Sequence, residues 1–471
     1  MQRYLVEASM RMGETGTRIR GAATSKKKQL VRMLTEITRW NFHLSIRRKR
    51  MFSPFKKEST MMNTKNTTIL ISGASIAGPT LAYWLKRYGF TPTVIERAPH
   101  LREGGYPVDV RFEAVQVAKL MGIWPRLQQE QTTLEEMSFV NERHQRISRV
   151  NNMQALPKAL GVDVVEIMRG DLARTLYELT KDEVEYCFGD SIQALKQDEA
   201  GVDVTFERGG SRRFDLLVGA DGLHSIVRTL AFGDEAQFER YYGYQVGVFT
   251  TDNYLGLDEA CMQMYNAPGK AVAVRTSRGN RALVAYFLFK QPIRLHYDYH
   301  DVERQKQLLA SVFAGEAWEV PRLLEKMQTA SDLYFDAVSQ IRMETWSHGR
   351  VVLLGDAGYC PALLSGQGST LAMMGAYILA GELKVALGEH QRAFHQYEQA
   401  FRPVVRQEQK KVGSGKFLVP ATRLGLWVRN HLFPLLVPPM LVAIERGRRL
   451  LPRSYSRPSR LKDYGDVLPP S

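Results

Sequence analysis

Apolar positions fall into distinct rhythms along the chain. Ile69-Leu70-Ile71 is a short unbroken apolar run, the pattern of a buried parallel strand. After the small-residue turn Gly73-Ala74-Ser75-Ile76-Ala77-Gly78, apolar positions recur at helical spacing through Ala77, Leu81, Trp84, Leu85 and Tyr88. Gly89 closes that helix, and Thr93-Val94-Ile95 predicts the next strand with Glu96 at its end. Strands are also expected over 137–147, 162–167, 184–186, 202–206 and 214–218. A helix is expected over 112–120, and another opens at Arg169 with Leu172, Leu176 and Leu179 on one face. Residues 236–340 alternate apolar and polar positions and are dense in Tyr and Phe, which predicts an antiparallel sheet followed by a helical stretch over 302–327. The strand 350–354 ends in Gly355-Asp356, and Gly366-Gln367-Gly368 leads into a long apolar helix over 369–387.

The first strand–turn–helix–strand carries chemistry. A glycine-rich turn between strand and helix, with an acid about 20 residues further on, is the dinucleotide-binding fingerprint. Gly73 permits the tight turn, Gly78 lets helix and strand approach, and the helix start offers unpaired N–H groups to a pyrophosphate. Glu96 is placed to accept from ribose hydroxyls. Ser75 stands where the motif usually has its second glycine and is small enough for close phosphate approach. Two further strands end in an acid beside glycine, Asp221-Gly222 and Gly355-Asp356. The paired glycines of Leu101–Arg111 predict a loop that folds back over something.

Composition narrows the class. With 471 residues, 44% hydrophobic and 24% charged, the chain is an ordinary globular protein of two or three domains. Cys187, Cys261 and Cys360 are far apart and make neither a disulfide framework nor a zinc motif, which fits a reducing, cytoplasmic setting. The formal net charge is +15, but residues 1–60 hold fifteen Lys/Arg against four Asp/Glu, so the basicity belongs to a tail and not to a nucleic-acid-binding face. That tail reads in three ways: an organelle transit peptide, a basic arm for membrane or nucleic acid, or sequence preceding a true start at Met61 or Met62. The last is favoured. Over 30–44 it could form an amphipathic helix of irregular pattern. The longest apolar run, 432–444, is too short for an integral membrane span and is interrupted by prolines. There is no catalytic triad, zincin motif or P-loop. His224, His348 and His395 stand alone and read as structural.

In their order and spacing, Gly73–Gly78 with Glu96-Arg97, then Asp221-Gly222, then Gly355-Asp356 with Gly366-Gln367-Gly368, resemble the class A flavoprotein monooxygenases of the para-hydroxybenzoate hydroxylase fold. The branch most similar holds tetracycline-inactivating and aromatic polyketide hydroxylases. The resemblance covers residues 66–410. It implies an α/β fold: a Rossmann-type FAD-binding domain, a second α+β substrate domain built on an antiparallel sheet, and a C-terminal helix. The expected boundaries are a basic extension at 1–62, the FAD-binding domain at 63–235 and 341–411 with an excursion near 135–167, a substrate domain at 236–340, and a C-terminal segment at 412–471.

The same resemblance implies the cofactor contacts. Gly73, Ser75, Ile76, Ala77 and Gly78 would hold the FAD pyrophosphate, Glu96 the adenosine ribose with Arg97 beside it, and Arg169 the phosphates or ribityl chain. Arg111 is counted with them. Asp221 and Gly222 would serve FAD and NAD(P)H together, Asp356 the ribityl hydroxyls, and Pro361, Gly366, Gln367, Gly368 and Ser369 the isoalloxazine ring. NADPH or NADH would reduce FAD, and a flavin C4a-hydroperoxide would hydroxylate an aromatic or polycyclic small molecule, with no metal and no catalytic side chain assignable; Baeyer–Villiger insertion or epoxidation would use the same species. The alternatives are a reductase of the same fold and a non-catalytic flavin-binding protein. A monomer or homodimer is expected. The chain departs from the family at Gly358-Tyr359, at Leu363 and at Phe112, where Ala-His, Pro and Gly are common. These differences are expected on loops around the flavin ring.

Overall fold

The computed structural model describes residues 66–102, 104–153, 163–277, 279–410, 417–432, 435 and 461–465. The basic extension, the expected amphipathic stretch over 30–44 and nearly all of the apolar run 432–444 lie outside the described residues.

The short apolar runs become a six-stranded sheet. Its order is Ser347–His348, Val351–Leu353, Leu216–Gly219, Thr68–Ser72, Thr91–Glu96 and Glu185–Phe188. All neighbours are parallel except the first pair. Ile69, Leu70 and Ile71 are fully buried, as expected of strands covered on both faces. Helices Ala77–Arg87 and Gly368–Val385 cover one face and meet through Trp84 and Tyr377, whose rings lie 4.8 Å apart edge to face. A small antiparallel sheet, Ile192–Gln197, Val202–Phe206 and Ser211–Phe214, packs on the other face through Ile192, Val202 and Val204.

The aromatic-rich region builds a seven-stranded sheet. Its order is Tyr334–Ile341, Glu239–Asp252, Ala282–Lys290, Lys270–Ser277, Cys261–Ala267, Glu136–Val140 and Arg146–Asn151. The sheet is mixed, not purely antiparallel, because Cys261–Ala267 and Glu136–Val140 run parallel. Strand parity divides the side chains. Phe249, Phe287 and Phe289 point to a core closed by Val302–Phe313 and Val320–Thr329. The expected single helical stretch is therefore two helices, parted near Gly315, whose φ is +79°. Val246, Val248, Ala271, Ala273, Tyr286 and Leu288 line a cavity on the other face. Of the two strands expected in the excursion, the first, 137–147, is two strands, Glu136–Val140 and Arg146–Asn151, and the second, 162–167, is Val164–Met168, which instead pairs with Pro107–Arg111 in a two-stranded sheet beside that cavity.

Candidate active site

Strand register brings the three acid–glycine motifs together. Ser72 lies opposite Gly219, and Gly219 opposite Leu353, so the turns after these three strands emerge side by side at the carboxyl edge of the sheet. That edge is where open α/β sheets bind ligands. The Gly73 N–H donates to the Ile95 carbonyl at 2.7 Å, and the Ala220 N–H to the Ser72 carbonyl at 2.8 Å. A Cβ on Gly73 would lie 2.4 Å from the Ala220 oxygen, and one on Gly78 would lie 1.9 Å from the Gly73 oxygen. Both glycines are needed for turn, helix and neighbouring strand to pack at this spacing.

The turns open onto a cavity of about 390 Å³. Ser75, Ile76, Ala77, Arg169, Gly222, Asp356, Pro361, Gly366, Gly368 and Ser369 lie on its wall, bringing together ten of the sequence-predicted positions. Helix Ala77–Arg87 begins without a side-chain cap, leaving its first N–H groups available toward this wall. Arg169, opening helix Arg169–Glu178, donates to Ser75 Oγ at 2.9 Å. Arg102 lies near Arg169 and Arg97, and its pKa is lowered by burial and then by those like charges. Arg102 thus has two guanidiniums and one carboxylate near it, and that carboxylate, Glu96, already accepts from the N–H groups of Ala74 at 2.8 Å and Ala98 at 3.0 Å. Such an excess of positive charge beside a capless helix start fits a pyrophosphate.

Asp356 faces the cavity from the start of the short helix Asp356–Tyr359. Burial pushes its carboxyl above the usual carboxylate range, against the lowering influence of Arg169. An enclosed carboxylate of this kind fits a ligand that brings several hydroxyl donors. The Gly366–Ser369 loop is held from below. Arg111 pairs with Asp109 at 2.9 Å and donates to the Gly366 carbonyl at 2.6 Å, while Ser369 Oγ donates to the Asp109 carbonyl at 2.6 Å. Helix Gly368–Val385 follows, also without a side-chain cap.

Other predicted positions lie off the wall. Gly73 and Gly78 serve packing, and Arg111 acts on the loop. Gln367 is buried, and its Oε1 finds no hydrogen-bond partner among the described residues. Arg97 reaches His300 Nε2 at 3.1 Å and lies over the Tyr299 ring. Asp221 accepts from Ser225 Oγ at 2.5 Å and the Val227 N–H at 3.1 Å, fastening the start of helix Ile226–Phe232. Its neighbours Ala220, Gly222 and Leu223 form the wall instead.

Two groups secure that turn. Arg228, fully buried, donates to the carbonyls of Leu223 at 2.6 Å and Ala357 at 2.9 Å, joining the second and third motifs. His224 lies between Glu235 at 2.9 Å and Asp336 at 3.1 Å. Burial alone would lower its pKa, but the two carboxylates outweigh burial and push it up to about 10. His224 is thus a charged tie between the turn and strand Tyr334–Ile341.

The family departures land differently from expectation. Tyr359 turns into the core, 1% exposed, with its hydroxyl accepting from Tyr397 at 2.9 Å. A Cβ on Gly375 would lie 2.2 Å from that hydroxyl, so the small residue on the covering helix makes room for the ring. Leu363 does line the cavity. Phe112 holds φ +55° and ψ −131°, a backbone region suited to glycine, and its side chain is 36% exposed. Sequence reasoning did not assign Arg102, Tyr106, Asp109, Glu166 or Tyr334 to the site. Arg102, Tyr106 and Asp109 lie in the fold-back loop that it singled out, whereas Glu166 and Tyr334 had no local signal.

A family model described as an FAD binding domain matches residues 66–411. A flavin-dependent monooxygenase of Legionella longbeachae is 38% identical over 350 residues, covering 74% of this chain and 88% of that protein. The chain belongs to the class A FAD-dependent monooxygenases. An uncharacterized Mycobacterium tuberculosis protein, Rv1260, is 42% identical over 342 residues, covering 73% of this chain and 91% of its own. The crystal structure of the tetracycline destructase Tet(55) aligns with TM-score 0.68 at 35% identity, over 82% of this chain and 97% of that one. Klebsiella pneumoniae HpxO complexed with FAD and uric acid shares the fold, with TM-score 0.61 at 21% identity, over 82% of this chain and 98% of its own. This monooxygenase is therefore a flavoprotein oxidoreductase with FAD as its cofactor. Among its described residues no helix is long and apolar enough to cross a membrane.

Proposed function

We propose that this monooxygenase uses NADPH or NADH and O₂ to hydroxylate an aromatic or polycyclic small molecule. The observation that carries the reading is a single cavity running from the three motif turns to the apolar face of the seven-stranded sheet. One end has the groups that suit FAD, and the other has room and chemistry for an apolar acceptor. Similarity to tetracycline destructases supports a polycyclic acceptor.

In this reading Ser75, Ile76 and Ala77 present backbone N–H groups to the pyrophosphate, with Arg102 and Arg169 balancing its charge. Glu96 takes the ribose hydroxyls and Asp356 the ribityl hydroxyls. Pro361, Gly366, Gly368 and Ser369 lie along the ring, and the start of helix Gly368–Val385 favours negative charge there. Gly222 forms the facing wall. Bound FAD would supply the redox chemistry, passing two electrons from the nicotinamide to O₂, of which one atom goes to the acceptor and the other leaves as water. The chain's own part is to orient the acceptor and keep water from the reacting face. Residues 236–340, with strands Glu136–Val140 and Arg146–Asn151, serve as the substrate-binding part, and the remainder up to 411 as the FAD-binding part.

Purified protein given a panel of phenolic and polycyclic compounds tests this. Substrate-stimulated NAD(P)H oxidation and O₂ uptake are expected, with one atom of ¹⁸O from labelled O₂ found in the product. Reduction of the panel compounds without O₂ consumption would replace the monooxygenase reading with a reductase.

A further inference from the structure

We infer that the sheet end of the cavity selects a neutral or positively charged polycyclic substrate with a hydrogen-bond donor on its edge, and rejects aromatic carboxylates, through Glu166 and Tyr286. This rests on the function proposed above and names the substrate class of that same site.

The wall at this end is mostly apolar, built from Val246, Val248, Met264, Ala273 and Leu288. Glu166 and Tyr286 interrupt it. Glu166 stands on strand Val164–Met168, opposite Asp109 of the neighbouring strand. Its carboxylate accepts from Arg275 Nη1 at 3.0 Å, from Arg275 Nη2, and from Thr132 Oγ1 at 2.9 Å. Those three donors fill three of roughly four acceptor positions on a carboxylate and leave one for a ligand. The Glu166 side chain is 29% exposed, whereas that of Arg275 is 5% exposed and off the cavity wall. A ligand therefore meets the carboxylate and not the cation behind it.

Tyr286 supplies the second polar group. Its hydroxyl makes no hydrogen bond among the described residues, and it is turned to the cavity from strand Ala282–Lys290. Burial raises its pKa and outweighs the lowering by Arg275, with Glu166 adding a smaller rise, so the phenol stays neutral and can both donate and accept.

The other cations near the cavity are engaged. Arg111 is held by Asp109 and the Gly366 carbonyl, and Arg169 sits at the far end with Ser75. A substrate carboxylate placed here would face Glu166 across a medium of low polarity with no free guanidinium to balance it. An ammonium or hydroxyl would find an acceptor at Glu166 and a partner at Tyr286.

The test uses full-length protein loaded with FAD and three probes of one size: 2-naphthylmethylammonium, 2-naphthalenemethanol and 2-naphthoate. Binding is read from the change in flavin absorbance. The ammonium and the alcohol should bind at least about tenfold more tightly than naphthoate. Glu166→Gln keeps hydrogen-bonding capacity beside Arg275 but leaves that guanidinium unbalanced, so the ammonium-to-naphthoate preference should fall by about tenfold or more. Tyr286→Phe, which removes only a hydroxyl, should weaken the alcohol and leave FAD content unchanged. Naphthoate binding as tightly as the alcohol, a preference unmoved by Glu166→Gln, or a flavin that responds to none of the probes would overturn the inference. FAD content, measured separately on the same samples, keeps this apart from the underlying reading: well-folded protein that retains no FAD would overturn the assigned cofactor site and the inference with it.

Discussion

Replacing Asp356 by Asn should separate the cost of this carboxylate to the empty protein from its value to the bound cofactor. Burial raises the Asp356 pKa above the usual 3.8, and Arg169 lowers it only in part. An acid held above its unfolded pKa binds its proton more tightly in the folded chain. Its ionisation therefore weakens the fold as pH rises from 3.8 through the raised value, and the penalty is constant above that. Asn carries no such penalty, so apo Asp356→Asn should melt no lower than wild type at pH 7. FAD binding should move the other way. Each hydrogen bond from a ribityl hydroxyl to a carboxylate is worth about 1.5–3 kcal/mol, so losing one raises the Kd about 10- to 150-fold. FAD affinity of the wild type should also increase as pH climbs through the Asp356 pKa, with proton release on binding, and the variant should lose that dependence. Thermal melts of apo protein and flavin-fluorescence titrations from pH 4 to 8 measure both quantities. A folded Asp356→Asn protein that binds FAD within twofold of wild type would refute the ribityl assignment.

Three other perturbations probe the frame. Phe112→Gly should raise stability by about 1 kcal/mol, because relief of an unfavourable backbone conformation outweighs the added freedom of the unfolded chain; urea unfolding reads it, and an unchanged or lower midpoint would contradict the strain. His224 should remain an imidazolium across neutral pH, and its stabilising contribution, full below 6.5, should be lost as pH rises through about 10. His224→Ala should cost about 3 kcal/mol by stripping the nearly buried Asp336 of its cation; an NMR titration of this ring with a midpoint near 6.5 would show the tie to be weak. Gly381→Ala should loosen the C-terminal segment, since its Cβ would fall 2.3 Å from the Tyr464 ring, whose hydroxyl donates to the buried Glu382 at 2.8 Å. Faster proteolysis of residues beyond 460 is expected, and wild-type resistance would mean that the ring is not needed there.

Much of the candidate site was legible because its signals are local. Gly73 and Gly78 announce a turn that no larger residue can make, and Glu96 follows within one strand–helix–strand unit, so one stretch of sequence contains both the motif and its physical reason. The acid–glycine turns at Asp221 and Asp356 were legible for the same reason, and the relatives confirm the family that their order pointed to. Local patterning was less sure about faces. Phe249, Phe287 and Phe289 mark the sheet as aromatic, yet strand parity sends them to the core and leaves Tyr286 at the cavity.

The sequence by itself determined the parallel strand core, the fingerprint turn and the family, since backbone conformation and strand periodicity are properties of neighbouring residues. Tertiary structure alone decided what faces what. Asp109 meets Glu166, 57 residues further along the chain, only because their two strands pair in one register, and Arg102 becomes part of a cationic cluster only when the fold-back loop reaches Arg97 and Arg169. Tyr359, expected beside the flavin, lies in the core because Gly375, on another helix, leaves room for its ring. Packing and electrostatics act through space, and the chain folded in three dimensions brings together groups that the linear order keeps apart.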